Sequence, residues 1–273
     1  MILEKGVLDS FAMLVEDEKA NLTSEGLKVG VDLGTANIVL AVVDENNEPV
    51  AGATYPSTVV KDGIVVDYMG AIRIVKNLKD KVESELGIEL TEAACAIPPG
   101  VVEGSVKAIS NVVEGAGFDV VNVVDEPTAA ATVLDIKDGA VVDVGGGTTG
   151  ISILKDGEVI YTADEPTGGT HMSLVIAGYY DVSMEEAEKI KKDPSKEADI
   201  FPIVKPVIQK MATIVKGFLK DYDVPAVYVV GGACSFQDFT TVFEKELGVK
   251  TIKSNHPLLV TPLGIAMNCK RDA

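Results

Sequence analysis

Along this chain the apolar positions switch between a period of two, expected of strands, and a spacing of three to four, expected of helices, and the switch points predict its elements. Near the start, Leu8, Phe11, Ala12 and Val15 recur at helical spacing ahead of Glu16, Asp17 and Glu18, which predicts one amphipathic helix within Met1 to Gly26. From Lys28 an apolar run ends in Asp32, a turn follows at Gly34 and Thr35, and a second run leads to a hairpin at Glu45-Asn46-Asn47. Tyr55 to Val60 reads as a strand, Lys61-Asp62-Gly63 as a turn, and Tyr68 to Leu86 as a helix with Ile72, Val75, Leu78, Val82 and Leu86 on one face. Ala93 to Ile97 is a short strand stopped by Pro98-Pro99-Gly100, Val102 to Gly115 a helix, and Val120 to Val124 a strand. Pro127 then opens a small-residue helix through Ala129, Ala130 and Ala131.

The second half runs in the same order. Val141 to Val144 is a β-branched strand interrupted by Asp143, followed by Gly145, Gly146, Gly147, Thr148 and Thr149. Ile151 to Leu154 and Glu158 to Ile160 are strands joined by a hairpin at Lys155-Asp156-Gly157. Helices are expected from Met172 to Tyr180, from Met184 to Lys192, and from about Pro202 to Lys220 with Ile203, Val207, Met211, Ile214 and Phe218 on one side. Val227 to Val230 is a strand ending in Gly231-Gly232 and corresponds to Ala93 to Pro99, and Thr261 to Met267 closes as a small-residue helix suited to close packing. This repetition predicts an α/β fold of two similar lobes around a cleft. Residues 28–137 with 260–273 form lobe I, 138–259 form lobe II, and 1–27 are a helical extension that docks on the body or serves a partner or targeting role.

A carboxylate within an apolar strand is costly unless it is paired or bound to a cation, so Asp32 and Asp143 are expected at strand ends facing a site. Three residues without Cβ let backbone N–H groups converge on phosphate oxygens, and the hydroxyls of Thr148 and Thr149 add donors there. Asp143 is placed to hold a hydrated Mg²⁺. Alone, such a turn reads equally well as a tight β-turn with a surface Asp; two acid-tipped glycine turns point to two half-sites gripping one polyphosphate. Glu126, at the mouth of the alanine helix, is either a helix-start carboxylate or a group that polarises water. Gly231 and Gly232 either let a flat ring or a phosphate approach the backbone or form a plain strand-to-helix turn, which would look the same. His171, beside Gly168-Gly169-Thr170, reads as a loop histidine ahead of one that touches a ligand.

The formal net charge of −18 argues against nucleic acid or anionic membranes as partners and leaves a Mg²⁺-bound nucleotide open. Three scattered cysteines, Cys95, Cys234 and Cys269, lack disulfide or zinc spacing and fit a cytoplasmic setting. No apolar run approaches membrane-spanning length, and the start lacks the pattern of a signal peptide.

Together, Asp32-Leu33-Gly34-Thr35-Ala36-Asn37, Glu126-Pro127-Thr128-Ala129-Ala130-Ala131, Asp143-Val144-Gly145-Gly146-Gly147-Thr148 and Val229-Val230-Gly231-Gly232-Ala233 resemble the ATPase superfamily of actin, sugar kinases and DnaK-type heat-shock chaperones. The order and spacing match from Lys28 to Cys269. Within that superfamily the chain, lacking large inserted subdomains, is most similar to the chaperone-like family encoded with ethanolamine-utilization enzymes of a bacterial microcompartment. The resemblance implies a duplicated ribonuclease-H-like, actin-like ATPase fold that binds ATP or ADP with Mg²⁺. It implies a protein client in that pathway, with the protein cytoplasmic or associated with the microcompartment. By motif, Asp32 and Asp143 would hold Mg²⁺ largely through water, with Gly34, Thr35, Asn37, Gly145, Gly146, Gly147, Thr148, Thr149, Gly168 and Gly169 around the phosphates. Glu126 would orient the attacking water, and Glu188, Lys191, Lys192, Gly231 and Gly232 would flank adenosine, although Lys191 and Lys192 also read as solvated lysines.

Two departures from the chaperone pattern stand out. Gly150 occupies the place of a second acid, which leaves the hydrolysis rate in question, and Ala233-Cys234-Ser235 lacks the arginine that stacks on adenine, which implies weaker or altered nucleotide affinity. An actin-like filament protein, a small-molecule kinase and a binding-only pseudo-ATPase stay open as alternatives.

Overall fold

The computed structural model describes residues 6–21, 26–61, 63–100 and 103–270. The expectations placed on Asp62, Val102 and parts of the N-terminal extension (1–5 and 22–25) fall outside the described residues.

Two five-stranded sheets carry the molecule. In the first, β1 (Lys28–Leu33), β2 (Asn37–Val43), β3 (Pro49–Pro56), β6 (Glu92–Ile97) and β7 (Asp119–Asp125) lie in the order β3-β2-β1-β6-β7, with β4 (Val60–Lys61) and β5 (Ile64–Val65) as a separate small hairpin. The second contains β8 (Gly139–Val144), β9 (Thr149–Lys155), β10 (Glu158–Glu165), β11 (Val227–Val230) and β12 (Thr251–Lys253), ordered β10-β9-β8-β11-β12. The two orders superimpose strand for strand. In each sheet the acid-bearing strand pairs antiparallel with its hairpin neighbour and parallel with the next strand, as β1 does with β2 and β6 and β8 with β9 and β11.

Local chemistry accounts for most boundaries. The β9–β10 turn has two left-handed residues, Asp156 at φ 54° and Gly157 at φ 82°, the pair that a two-residue hairpin needs. Asp67 caps α2 (Tyr68–Leu86), whose Val75, Leu78, Val82 and Leu86 are buried under the first sheet, and Gly87 ends it at φ 70°. Lobe I also holds α3 (Glu103–Gly115). In lobe II, α5 (Gly169–Tyr180), α6 (Met184–Lys192), α7 (Glu197–Phe218) and α8 (Phe239–Leu247) cover the second sheet.

Three expectations shift. The strand placed at Tyr55 to Val60 overlaps only the last two residues of β3, which runs eight residues from Pro49 to Pro56, while Val60 belongs to β4; the hairpin closes as Asp44 accepts from the backbone N–H groups of Asn46 and Glu48, so pairing starts earlier. In α7 the buried line runs through Ile200, Val204, Ile208, Met211 and Val215, with Ile203, Val207, Ile214 and Phe218 half-buried beside it. Both lines are apolar, and contact with α8 and α5 selects between them. Finally, α8 and β12 were not foreseen.

Behind the cleft, α4 (Glu126–Leu134) and α9 (Pro257–Met267) pack on each other, α4 following the last strand of the first sheet and α9 the last strand of the second. Gly264 makes this crossing close: a Cβ there would overlap the Ala129 carbonyl. The N-terminal helix α1 (Val7–Asp17) docks on the body, with Phe11 fully buried against Gly52 of β3, where a side chain would collide with its ring. Its Asp9 meets His256 Nε2 at 3.0 Å, at the start of α9. Among the described residues no helix is long and apolar enough to cross a membrane.

Candidate functional site

Because β1 and β8 are equivalent, Asp32 and Asp143 are each the next-to-last residue of their strand, and both line one cleft of about 440 Å³ between the lobes. The two glycine turns meet there. A Cβ on Gly146 would lie 3.1 Å from the Ala36 side chain and 3.2 Å from that of Thr35, so neither turn could carry bulk at the contact. The Gly145 N–H donates to the Thr148 carbonyl at 3.0 Å and closes the second turn. Gly231, at φ 89°, lets the chain pass Asp143, whose carboxylate a side chain there would overlap.

Asp143 is 6% exposed, and its Oδ2 accepts from Thr261 Oγ1 of α9 at 2.5 Å. Burial pushes its carboxyl up to about 6 despite that bond, and burial together with the charge of Asp143 pushes Asp32 up to about 7. Glu126, the first residue of α4, also lines the cleft; burial and then the charges of Asp143 and Asp32 raise it well above the usual range. Its position is set by Asp125, whose Oδ1 accepts from the Thr128 N–H at 3.0 Å, the Thr128 hydroxyl at 2.7 Å and the Ser152 hydroxyl of β9 at 3.1 Å. Three carboxyl groups crowded where water is scarce leave excess negative charge for a cation to offset. Among the described residues no group of three or more His, Cys, Asp or Glu forms a metal cluster. A pair of carboxylates does fit Mg²⁺, which keeps several of its waters.

At the far end, Lys191 Nζ bridges Glu188 at 2.6 Å, the Ser173 hydroxyl at 2.9 Å and the Gly169 carbonyl at 3.0 Å. Lys191 is therefore a fixed part of the wall. Burial lowers it and Glu188 pulls it partly back, while for Glu188 burial is outweighed by Lys191, Ser173 and Lys192, leaving it below the usual value. Lys192 lines the same end and pairs with Glu188 at 3.3 Å, and Gly231 and Gly232 lie across from them beside Phe236 and Leu258.

Of the residues singled out from sequence, Asp32, Gly34, Thr35, Asn37, Glu126, Asp143, Gly145, Gly146, Gly147, Thr148, Gly169, Glu188, Lys191, Lys192, Gly231 and Gly232 share this one cleft. Thr149 and Gly168 do not line it. The buried Thr149 hydroxyl donates to the Thr167 carbonyl at 2.6 Å, and Gly168 packs against the Gly145 and Gly146 carbonyls, so both build the wall. His171 stays at the helix start, where its Nδ1 accepts from the Gly168 N–H at 3.4 Å. Thr261 was missed as a site residue. Its hydroxyl is the only polar group in the run Leu259 to Ala266, a sign that it has a buried partner.

The chain is 42% identical over 252 residues to the ethanolamine utilization protein EutJ of Escherichia coli (strain K12), spanning 92% of this chain and 89% of that protein. It belongs to the EutJ family. A crystal structure of EutJ from Carboxydothermus hydrogenoformans superimposes with a TM-score of 0.91 at 54% identity, covering 96% of both chains. Family models match too, MreB/Mbl protein over residues 52–199 and cell division protein FtsA over 140–264. MreB5 of Spiroplasma citri bound to AMPPNP superimposes at a TM-score of 0.72 with 18% identity, over 89% of this chain and 95% of that one. The EutJ fold is thus that of the actin-like ATPases, two similar lobes without large insertions.

Proposed function

We propose that this EutJ family member binds ATP with Mg²⁺ between its lobes, hydrolyses it slowly, and acts as a chaperone-like protein on partners of the ethanolamine-utilization microcompartment pathway. One observation carries the reading: two buried carboxylates on equivalent strands face a single cleft whose walls are glycine turns. Gly34, Thr35 and Asn37 from lobe I and Gly145 to Thr148 from lobe II offer donors to the phosphates. Glu188, Lys191, Lys192, Gly231 and Gly232 leave room for the nucleoside. Asp32 and Asp143 hold the metal, whose charge offsets both the carboxylates and the phosphates when it is bound. Glu126 orients a water for in-line attack on the γ-phosphate, and no covalent protein nucleophile is required.

Two further observations support the reading. A neighbour of the same fold, MreB5, was crystallised with AMPPNP. A protein client is supported by α5, whose first residue, Gly169, lines the cleft while Leu174, Val175 and Tyr179 of the same helix stand exposed.

Calorimetric titration with ATP and MgCl₂ tests the proposal, with phosphate release followed in parallel. Binding should require Mg²⁺ and turnover should be slow. Asp143→Asn should weaken ATP·Mg binding by more than about tenfold. Glu126→Gln should keep binding but lose about a hundredfold in phosphate release, the lower range for a lost proton-handling group. Equal ATP·Mg binding by Asp143→Asn and wild type would overturn the metal role.

A further inference from the structure

Inside a helix a threonine hydroxyl commonly bonds back to the carbonyl four residues earlier. For Thr261 of α9 that carbonyl belongs to Pro257, which accepts from the Gly231 N–H at 2.8 Å, and the hydroxyl donates to Asp143 Oδ2 at 2.5 Å. Residues four apart share a helix face, so one side of α9 fastens both the Asp143 carboxylate and the glycine that passes it. The other oxygen, Oδ1, lies against Gly231, where a Cβ would overlap it. A donor at one oxygen and close packing at the other set the plane of this carboxylate. The rest of α9 is anchored elsewhere: Leu259, Leu263 and Ala266 pack with Val39, Ala41 and Val43 of β2 and with Phe11 of α1. A helix seated on the first sheet thus reaches across to an acid of the second, and Thr261 and Asp143 both line the cleft.

We propose that Thr261 is a positioning residue for the metal: by holding Oδ2 of Asp143 from the side of the first sheet, it fixes the orientation in which that carboxylate meets the water shell of Mg²⁺ in the ATP·Mg complex. The role rests on the ATPase reading above and is exerted through Asp143 alone. Magnesium demands near-ideal octahedral geometry, so a carboxylate free to rotate serves it less well than one already held.

The test measures the Kd of ATP·Mg for the full chain by calorimetry in excess MgCl₂, with folding of each variant checked by thermal unfolding. Thr261→Val, which keeps the shape and loses the donor, should raise Kd by about tenfold, the lower range for removing a group that orients a metal ligand. Thr261→Ala, the second variant without the hydroxyl, should give the same rise and serves in place of valine if that protein does not fold. Thr261→Ser keeps the donor and should stay within about twofold of wild type, although it loses the same methyl group from the core as alanine does. Combined with Asp143→Asn, Thr261→Val should add no more than about a further twofold, because its effect runs through the acid already altered. A merely structural hydroxyl would instead lower Tm and leave Kd in place. A folded Thr261→Val or Thr261→Ala protein with wild-type Kd overturns this inference alone, as does a full tenfold loss that persists on top of Asp143→Asn. Wild-type protein that fails to bind ATP·Mg overturns the ATPase reading and this inference together.

Discussion

Asp32 and Asp143 keep their protons to about pH 7 and 6, whereas an unperturbed Asp gives up its proton near 3.8, and Glu126 is displaced the same way. The stability contributed by those protons is full below the unfolded values and is lost as pH rises through the folded ones, so the empty cleft weakens the fold at neutral pH. Thermal unfolding without nucleotide or metal should therefore show Tm rising from pH 8 to pH 6. Asp32→Asn should be more stable than wild type at pH 8 and should show less of that rise; a wild-type Tm flat across the window would contradict the crowding of charge. The anomaly that causes this was legible in the sequence, because an acid inside Val141 to Val144 has no structural use. Its hydrogen-bond partner was not. Thr261 lies 118 residues away, and only the crossing of α9 behind the cleft brings the two together.

Periodicity located the long helices but chose the wrong line on α7, since it reports which residues are apolar and says nothing of which neighbours they meet. It also passed over β12, a three-residue edge strand. The small residues of α4 and α9 were more informative, because glycine inside a helix is unfavourable unless another backbone comes close. Two substitutions of the same kind should then have opposite signs. Gly264→Ala forces a methyl into the Ala129 carbonyl and should cost at least about 2 kcal/mol, as overpacked cores do. Gly178→Ala on α5 meets no atom within 4 Å and should stabilise by up to about 1 kcal/mol. Urea unfolding of the two variants measures both, and a Gly264→Ala protein as stable as wild type would mean that the α4–α9 crossing can open without loss.

With two similar lobes sharing the actin-like architecture, the molecule has to be asked whether it works alone or in rows. Its net charge of −18 bears on the answer, because every approaching copy meets like charge over distances longer than a side chain. That repulsion is screened within about 10 Å at 0.1 M salt, so it is strongest in dilute buffer. In the proposed ATP·Mg complex the metal would offset Asp32 and Asp143, while the outer surface would keep its acidity. ATP·Mg should therefore tighten one molecule without joining two. Saturating ligand at about a hundred times the wild-type Kd should add about 2.7 kcal/mol of stability, and at the same concentration that gain should fall to about half or less in Asp143→Asn. Light scattering should stay at the level of a 28.7 kDa species after ATP and Mg²⁺ are added at low salt. Scattering that climbs on adding ATP and falls again as the nucleotide is consumed would replace the chaperone-like reading with a filament, since only assembly through repeated contacts between copies produces growth that follows the bound state of the cleft.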